Sequence, residues 1–130
     1  MRTAFVFTGQ GSQFQGMGKD LADNYSAARD VFDAADDALG EPLSRLCFHG
    51  PDDQLSQTEN TQPATLAMSI AAFRALGAAN PDCAAGHSLG EYTALTAAGS
   101  LEFADAIRLV RERARRMQLA VPAGVGGMVA

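Results

Sequence analysis

A chain of 130 residues, 47% of them hydrophobic, suits one globular domain or a large piece of one. Its formal charge of −5 and isoelectric point near 4.8 exclude nucleic acid as a general partner. Cys47 and Cys83 lie far apart without metal-ligand spacing, which points to a reducing, cytoplasmic compartment, and the apolar run after Arg2 is too short for a signal-peptide core or a membrane span.

In chain order the elements alternate. Residues 2–7 are nearly all apolar, as in a strand buried on both faces of a parallel sheet. Leu21, Tyr25, Ala28, Phe32, Ala35 and Leu39 then recur at helical spacing, predicting one amphipathic helix ended by Gly40. A short helix is expected over 43–48 and a polar loop over 50–60. A third helix begins near Thr61, with Pro63 in its first turn, and runs to Leu76. Residues 82–85 form a short strand, an Ala- and Leu-rich helix runs from Ser88 toward Ala98, and 102–119 make the longest helix. The pattern is α/β. The closing "VPAGVGGMVA" reads as a glycine loop leading into a strand at 128–130 with nothing to finish it, so the chain is expected to be a piece of a longer polypeptide.

The glycine loop "TGQGSQ" after the first strand fits no nucleotide motif. A dinucleotide fingerprint needs a glycine where Phe14 stands, and a P-loop needs one at Gln13 and Ser or Thr at Asp20. What survives is a turn of exposed backbone N–H groups with small residues, or a tight connection with no ligand.

The strongest chemical signal is "AAGHSLGEY", residues 84–92. Gly86-x-Ser88-x-Gly90, between an apolar run and a helical one, has the context of a nucleophile elbow. A sharp strand-to-helix turn pushes the serine hydroxyl out over the sheet edge and leaves no room for flanking side chains, which glycine at 86 and 90 provides. The helix N-terminus beneath it favours developing negative charge. A glycine-flanked turn without chemistry is the weaker alternative. Acyl transfer needs two N–H donors for the tetrahedral oxyanion, and Leu89, after the nucleophile, supplies one. Gln10, in the loop after the first strand, supplies the other.

In "IRLVRERARRMQ", with Val110 as the centre of the buried face at roughly 100° per residue, Ala106, Ile107, Ala114, Met117 and Val121 fall within about 60°. Arg113 lies at the edge of that arc, and Arg108, Arg111, Arg115 and Arg116 well outside it. An inward Arg113 pairs with an acidic side chain of the fold, forks onto a ligand carboxylate, or snorkels at the margin of the apolar face; the residues alone favour the structural pair. The outward arginines form a stripe that either docks an acidic partner or, the favoured reading, pairs with Glu112 on a solvated face. Glu91 fits support of the first helical turn better than acid catalysis.

Together "GQGSQ" (9–13), "TQPA" (61–64), "GHSLGEY" (86–92) and Arg113-x-x-x-Met117-Gln118 resemble, in order, the malonyl-CoA:acyl carrier protein transacylases and the acyltransferase domains of fatty acid and polyketide synthases. The resemblance spans the whole chain and somewhat less than half of such a domain, its N-terminal part. It implies a three-layer α/β hydrolase-like core with a parallel sheet. Residues 1–130 would be the N-terminal part of that core, and residues 124–130 the start of a small ferredoxin-like subdomain. It implies Ser88 as the acylated nucleophile, Gln10 and Leu89 as oxyanion donors, Arg113 as the clamp on the malonyl carboxylate, and Gln62, His87 and Met117 as lining of the acyl pocket. The implied partners are malonyl-CoA and an acyl carrier protein bearing phosphopantetheine, with no metal or redox cofactor.

Thr8 replaces the proline that many members carry before GQG, with little expected consequence. The family's catalytic histidine would lie beyond residue 130. His87 adjoins Ser88 but points elsewhere on an elbow, and His49 reads as a surface residue, so neither matches that base. The missing C-terminal portion would then be a further partner, and residues 1–130 alone are expected to be aggregation-prone and to transfer malonyl at a negligible rate. A generic serine esterase, and an inactive fragment or carrier-binding module, are the competing readings.

Overall fold

The computed structural model describes residues 2–77, 81–122 and 124–126. Two short strands, β1 (Ala4–Phe7) and β2 (Cys83–Gly86), pair in parallel, with Ala4 opposite Cys83 and Phe7 opposite Gly86. Between them run α1 (Lys19–Asn24), α2 (Ser26–Leu39), α3 (Leu43–His49), α4 (Asp52–Leu55) and α5 (Thr58–Ala75). After β2 come α6 (Leu89–Ala97) and α7 (Phe103–Ala120). Among the described residues no helix is long and apolar enough to cross a membrane.

The core is built around α5. Every residue from Thr61 to Ala67 is buried, so this helix has no solvent face along that stretch, as expected of an element enclosed by others. It packs against α2, α6 and α7, and Phe5 and Phe7 meet its Phe73 edge-on at ring separations of 5.5 and 6.3 Å. The buried threonines are satisfied locally: Thr61 Oγ1 donates to Leu55 O at 2.6 Å and Thr65 Oγ1 to Thr61 O at 2.8 Å.

Several expectations are corrected. The single helix over 21–39 is two, because Tyr25 is extended (φ −128°, ψ 115°) and serves both as the end of α1 and the start of α2. The break is well capped: Arg29 reaches back to the carbonyls of Ala22 (3.0 Å) and Asp23 (3.2 Å), so the last turn of α1 keeps its partners. The loop expected over 50–60 contains α4, with Asp52 and Asp53 in its first turn where the helix dipole favours them. It also contains the start of α5, which leaves Pro63 inside that helix rather than in its first turn. The first strand is covered on one face only: Phe5 and Phe7 lie against α5, while Val6 between them is 76% exposed. The strand start expected at 128–130 lies outside the described residues, and of the segment 124–130 only 124–126 are described, as a turn and its following residue.

On α7 the buried face is Phe103, Ala106, Ile107, Val110, Arg111 and Ala114. Arg111, expected outside, is buried, and Val121, expected inside, is exposed. The face is rotated toward α2 and α5, where Arg111 finds Glu41 Oε1 (2.9 Å), Glu59 O (2.6 Å) and Asn60 Oδ1 (2.7 Å). Burial lowers its pKa from the ordinary arginine value, and the Glu41 carboxylate opposes that shift. The remaining stripe is paired: Arg108 with Asp105, Arg115 with Glu41, and Arg116 with Glu112. Of the two pairs expected with Glu112, Arg116 forms its own, while Arg108 pairs with Asp105 instead.

Candidate active site

Ser88 sits between the last residue of β2 and the first of α6 with φ 55° and ψ −115°, the sole non-glycine residue of positive φ among those described. Holding an L-residue there costs roughly 1–3 kcal/mol and requires the surroundings to impose it. They do so by close packing. A Cβ on Gly86 would lie 1.9 Å from Gly90 O, and one on Gly90 would lie 2.4 Å from Phe7 O, so neither position admits a side chain. The turn is closed by Gly90 N–H to His87 O (2.8 Å) and Glu91 N–H to Ser88 O (3.1 Å), and His87 N–H continues the sheet ladder to Phe7 O (3.1 Å). The serine is exposed on the resulting corner.

The loop after β1 is pressed against this corner. A Cβ on Gly9 would stand 2.8 Å from His87 Nδ1 and 3.6 Å from Ser88 Cβ. Among the described residues neither the Gln10 nor the Leu89 backbone N–H has a hydrogen-bond acceptor. Two free donors beside a strained, exposed serine are the minimum equipment for holding a tetrahedral oxyanion.

Arg113 comes to the same place from α7. Its Nη2 donates to Ser88 Oγ at 2.9 Å, its Nη1 donates to Gln62 Oε1, and its guanidinium carbon lies 5.9 Å from the centre of the Tyr92 ring. Gln62 is fully buried and passes its amide N–H on to Met117 Sδ at 3.3 Å. No carboxylate is paired with Arg113 among the described residues. The structural ion pair therefore falls to Arg111, and Arg113 is a cation with neutral partners, fixed on one side and open on the other.

The structure thus joins Ser88, Arg113, Gln62 and Met117 in one hydrogen-bonded chain, with Gln10 and Leu89 at its serine end. His87 is exposed, with its ring against Gly9, and makes no hydrogen bond to that chain among the described residues. His49 ends α3 and is exposed. No imidazole bonds Ser88 among the described residues. Three further residues belong to the surroundings of the site. Tyr92 lies under Arg113 and was legible in principle, one helical turn after Ser88. Thr58 bonds the Gln10 side chain and Gln118 bonds Thr58; Gln118 closes the Arg113-x-x-x-Met117-Gln118 motif without that motif assigning it a role, and no spacing announces Thr58.

Residues 4–130 match the acyl transferase domain family. The malonyl CoA-acyl carrier protein transacylase of Bacillus subtilis (strain 168) is 52% identical over 132 residues, an overlap covering 99% of this chain and 41% of that protein. The crystal structure of an acyl-carrier-protein S-malonyltransferase from Burkholderia pseudomallei 1710b superimposes with a TM-score of 0.89 at 52% identity, over 98% of this chain and 42% of that one. A malonyl-transacylase solved in complex with a type II PKS acyl-carrier protein superimposes with a TM-score of 0.88 at 47% identity, over 95% and 41%. The chain spans about two fifths of the length of these relatives. With an elbow serine, two free N–H donors and an acyl transferase match from the first strand onward, the chain belongs to the acyl transferase domain family.

Proposed function

We propose that this chain carries the nucleophile half of an acyltransferase that moves a malonyl group from coenzyme A to the phosphopantetheine thiol of an acyl carrier protein. The observation that carries the reading is the Arg113–Ser88 contact at 2.9 Å. A guanidinium beside a nucleophile fits an acyl group that ends in a carboxylate, which an Arg fork binds by two parallel hydrogen bonds. A generic serine esterase has no use for that cation.

Ser88 Oγ attacks the thioester carbonyl, its proton passing to a general base. The oxyanion formed is held by the N–H groups of Gln10 and Leu89. Collapse breaks the C–S bond, and coenzyme A leaves as the thiol after taking a proton. The carrier thiol then attacks the malonyl ester, Ser88 regains its proton and the malonyl thioester departs. Arg113 holds the malonyl carboxylate throughout, with Gln62 and Met117 fixing the guanidinium behind it and His87 at the rim. The general base in this reading is a histidine of the complete enzyme outside residues 1–130. The scheme calls on no metal ion or redox cofactor, and its substrates place the enzyme in the cytoplasm.

In the same reading β1 and β2 are two strands of a three-layer hydrolase-like parallel sheet, and the uncovered Val6 face is where a further layer packs. The ferredoxin-like subdomain would follow residue 124. The decisive experiment is a two-stage assay on the complete enzyme. Malonyl-CoA alone should release one equivalent of free coenzyme A and leave a stable malonyl-enzyme, which holo carrier protein then discharges. Steady release of free malonate without a carrier would instead mark a hydrolase.

A further inference from the structure

The oxyanion contact assigned to Gln10 uses only its backbone, yet its side chain is tied down. Nε2 donates to Thr58 Oγ1 at 3.1 Å, and Oε1 is enclosed without a partner among the described residues. Thr58 is the first residue of α5, whose N-cap Gln57 does not cap the helix with its side chain, so the Thr58 N–H is one of the donors a helix start leaves unpaired. Gln118, on the same helix as Arg113, takes that role: its Oε1 accepts from Thr58 N at 3.0 Å.

The other ties of the loop are internal. Gly11 N–H bonds Gln13 Oε1 at 3.0 Å, and the Thr8 and Ser12 hydroxyls meet at 3.4 Å. Among the described residues, Gln10–Thr58 is the only hydrogen bond from residues 8–13 to another element. We infer that Thr58 is a positioning residue for the Gln10 peptide: its hydroxyl holds the loop that aims the oxyanion N–H, and Gln118 fixes Thr58 in turn. This rests on the reading of Ser88 and Gln10 given above. It goes beyond that reading by separating two functions of the site. The oxyanion is common to every acyl group, so Thr58 acts without regard to what the acyl chain carries, whereas Arg113 reads the carboxylate.

In the complete enzyme Thr58→Val removes the hydroxyl but keeps the shape and the N–H that Gln118 accepts. The expected result is a fall in kcat of about tenfold, smaller than the 10²–10³ that follows outright loss of an oxyanion donor. KM for malonyl-CoA stays within about twofold, because the oxyanion forms only in the transition state. Acetyl transfer falls by the same factor as malonyl transfer, and Thr58→Ser restores both. Gln10→Ala cuts the same bond from its other end without touching α5, and the double variant should lose no more than either single one. Loss of malonyl transfer with acetyl transfer spared would put Thr58 in the carboxylate clamp and overturn the inference. Losses that multiply in the double variant, or an unchanged kcat in a folded Thr58→Val enzyme, would overturn it as well. A wild-type enzyme that never forms an adduct on Ser88 would sink the underlying reading and this inference with it, and the adduct mass shows that case separately.

Discussion

Pro63 and Arg111 complete one another across two helices. Pro63 lies inside α5 and has no N–H for the Glu59 carbonyl four residues earlier, and Arg111 of α7 donates to that carbonyl at 2.6 Å. The proline thereby costs the core no unsatisfied acceptor, and the arginine gains a reason to be buried.

The first prediction follows from this pairing. Arg111→Ala should destabilise the fold by about 1–3 kcal/mol, since it strips Glu59 O and Asn60 of a shared donor, while the partly exposed Glu41 can turn to water. Restoring the backbone donor with Pro63→Ala should shrink the cost of Arg111→Ala. Chemical denaturation of the four members of that cycle, followed by far-UV circular dichroism, reads the coupling directly. Equal costs in both backgrounds would show that the two residues act independently.

Acylation gives the second. Malonyl-CoA should add one malonyl mass to the complete enzyme, mapped to Ser88, and Ser88→Ala should abolish it. An adduct that survives the substitution, or maps to the exposed Cys83, would defeat the assigned chemistry.

The third concerns selectivity. Arg113→Ala should lower malonyl transfer by on the order of 10²-fold, with far less effect on acetyl transfer, which offers no carboxylate. Arg113→Lys should recover only part of the loss, because an ammonium cannot reproduce the planar fork that spans Gln62 and a carboxylate. Parallel loss of both activities would reassign the residue to holding α6 and α7 together.

The elbow glycines are tested by bulk. Gly86→Ala places a Cβ 1.9 Å from Gly90 O, and the backbone shift needed to relieve it should cost about 1–3 kcal/mol. It should also remove Ser88 acylation even where the protein stays folded, because the turn that exposes the hydroxyl opens. Full acylation of a folded Gly86→Ala enzyme would show that the close approach is not required.

A pH effect belongs to Cys47. Burial, with a smaller push from Asp36 and opposition from Arg111, raises its thiol from 9.0 to about 12. The unfolded chain therefore gives up this proton first as pH rises. Stability from the protonated thiol is complete below pH 9 and lost between pH 9 and 12, at about 1.4 kcal/mol per pH unit for one proton. Denaturation midpoints across that window should fall more steeply for the wild type than for Cys47→Ala, and Cys47 should resist thiol reagents at neutral pH in the folded state.

What the sequence disclosed, it disclosed where the constraint is local. Gly86, Ser88 and Gly90 are forced by one turn of backbone, so their spacing names the turn. Helical spacing puts Arg113 at the margin of the apolar arc, and it is half-buried at the serine. The burial of Arg111 is not legible in the periodicity of α7, because it depends on a carbonyl orphaned by Pro63 and on Glu41 beyond α2. The helix break at Tyr25 was hidden for a similar reason: the apolar spacing runs on through it, and the Arg29 bonds that cap it come from the other side. Residues 50–60 carry turn-forming composition, yet Pro51 and the acidic pair after it are also what a helix start needs.

The parallel pairing of β1 with β2 sets an order of events in the cell. Thr3 N–H meets Asp82 Oδ2 at 2.7 Å across 79 positions, so the first strand must wait for nearly eighty further residues before it meets the partner it has among the described residues. At roughly 5–20 residues per second of synthesis that delay is on the order of 4–16 s. During it α2, α3 and the start of α5 have near neighbours to pack against, while the sheet has none. The Gln10 and Leu89 N–H groups, free among the described residues, come from either side of the same gap. The strained turn at Ser88 therefore gains the Phe7 and Gly9 contacts that hold it only when the long loop closes, once the entropic barrier to this topology has been crossed.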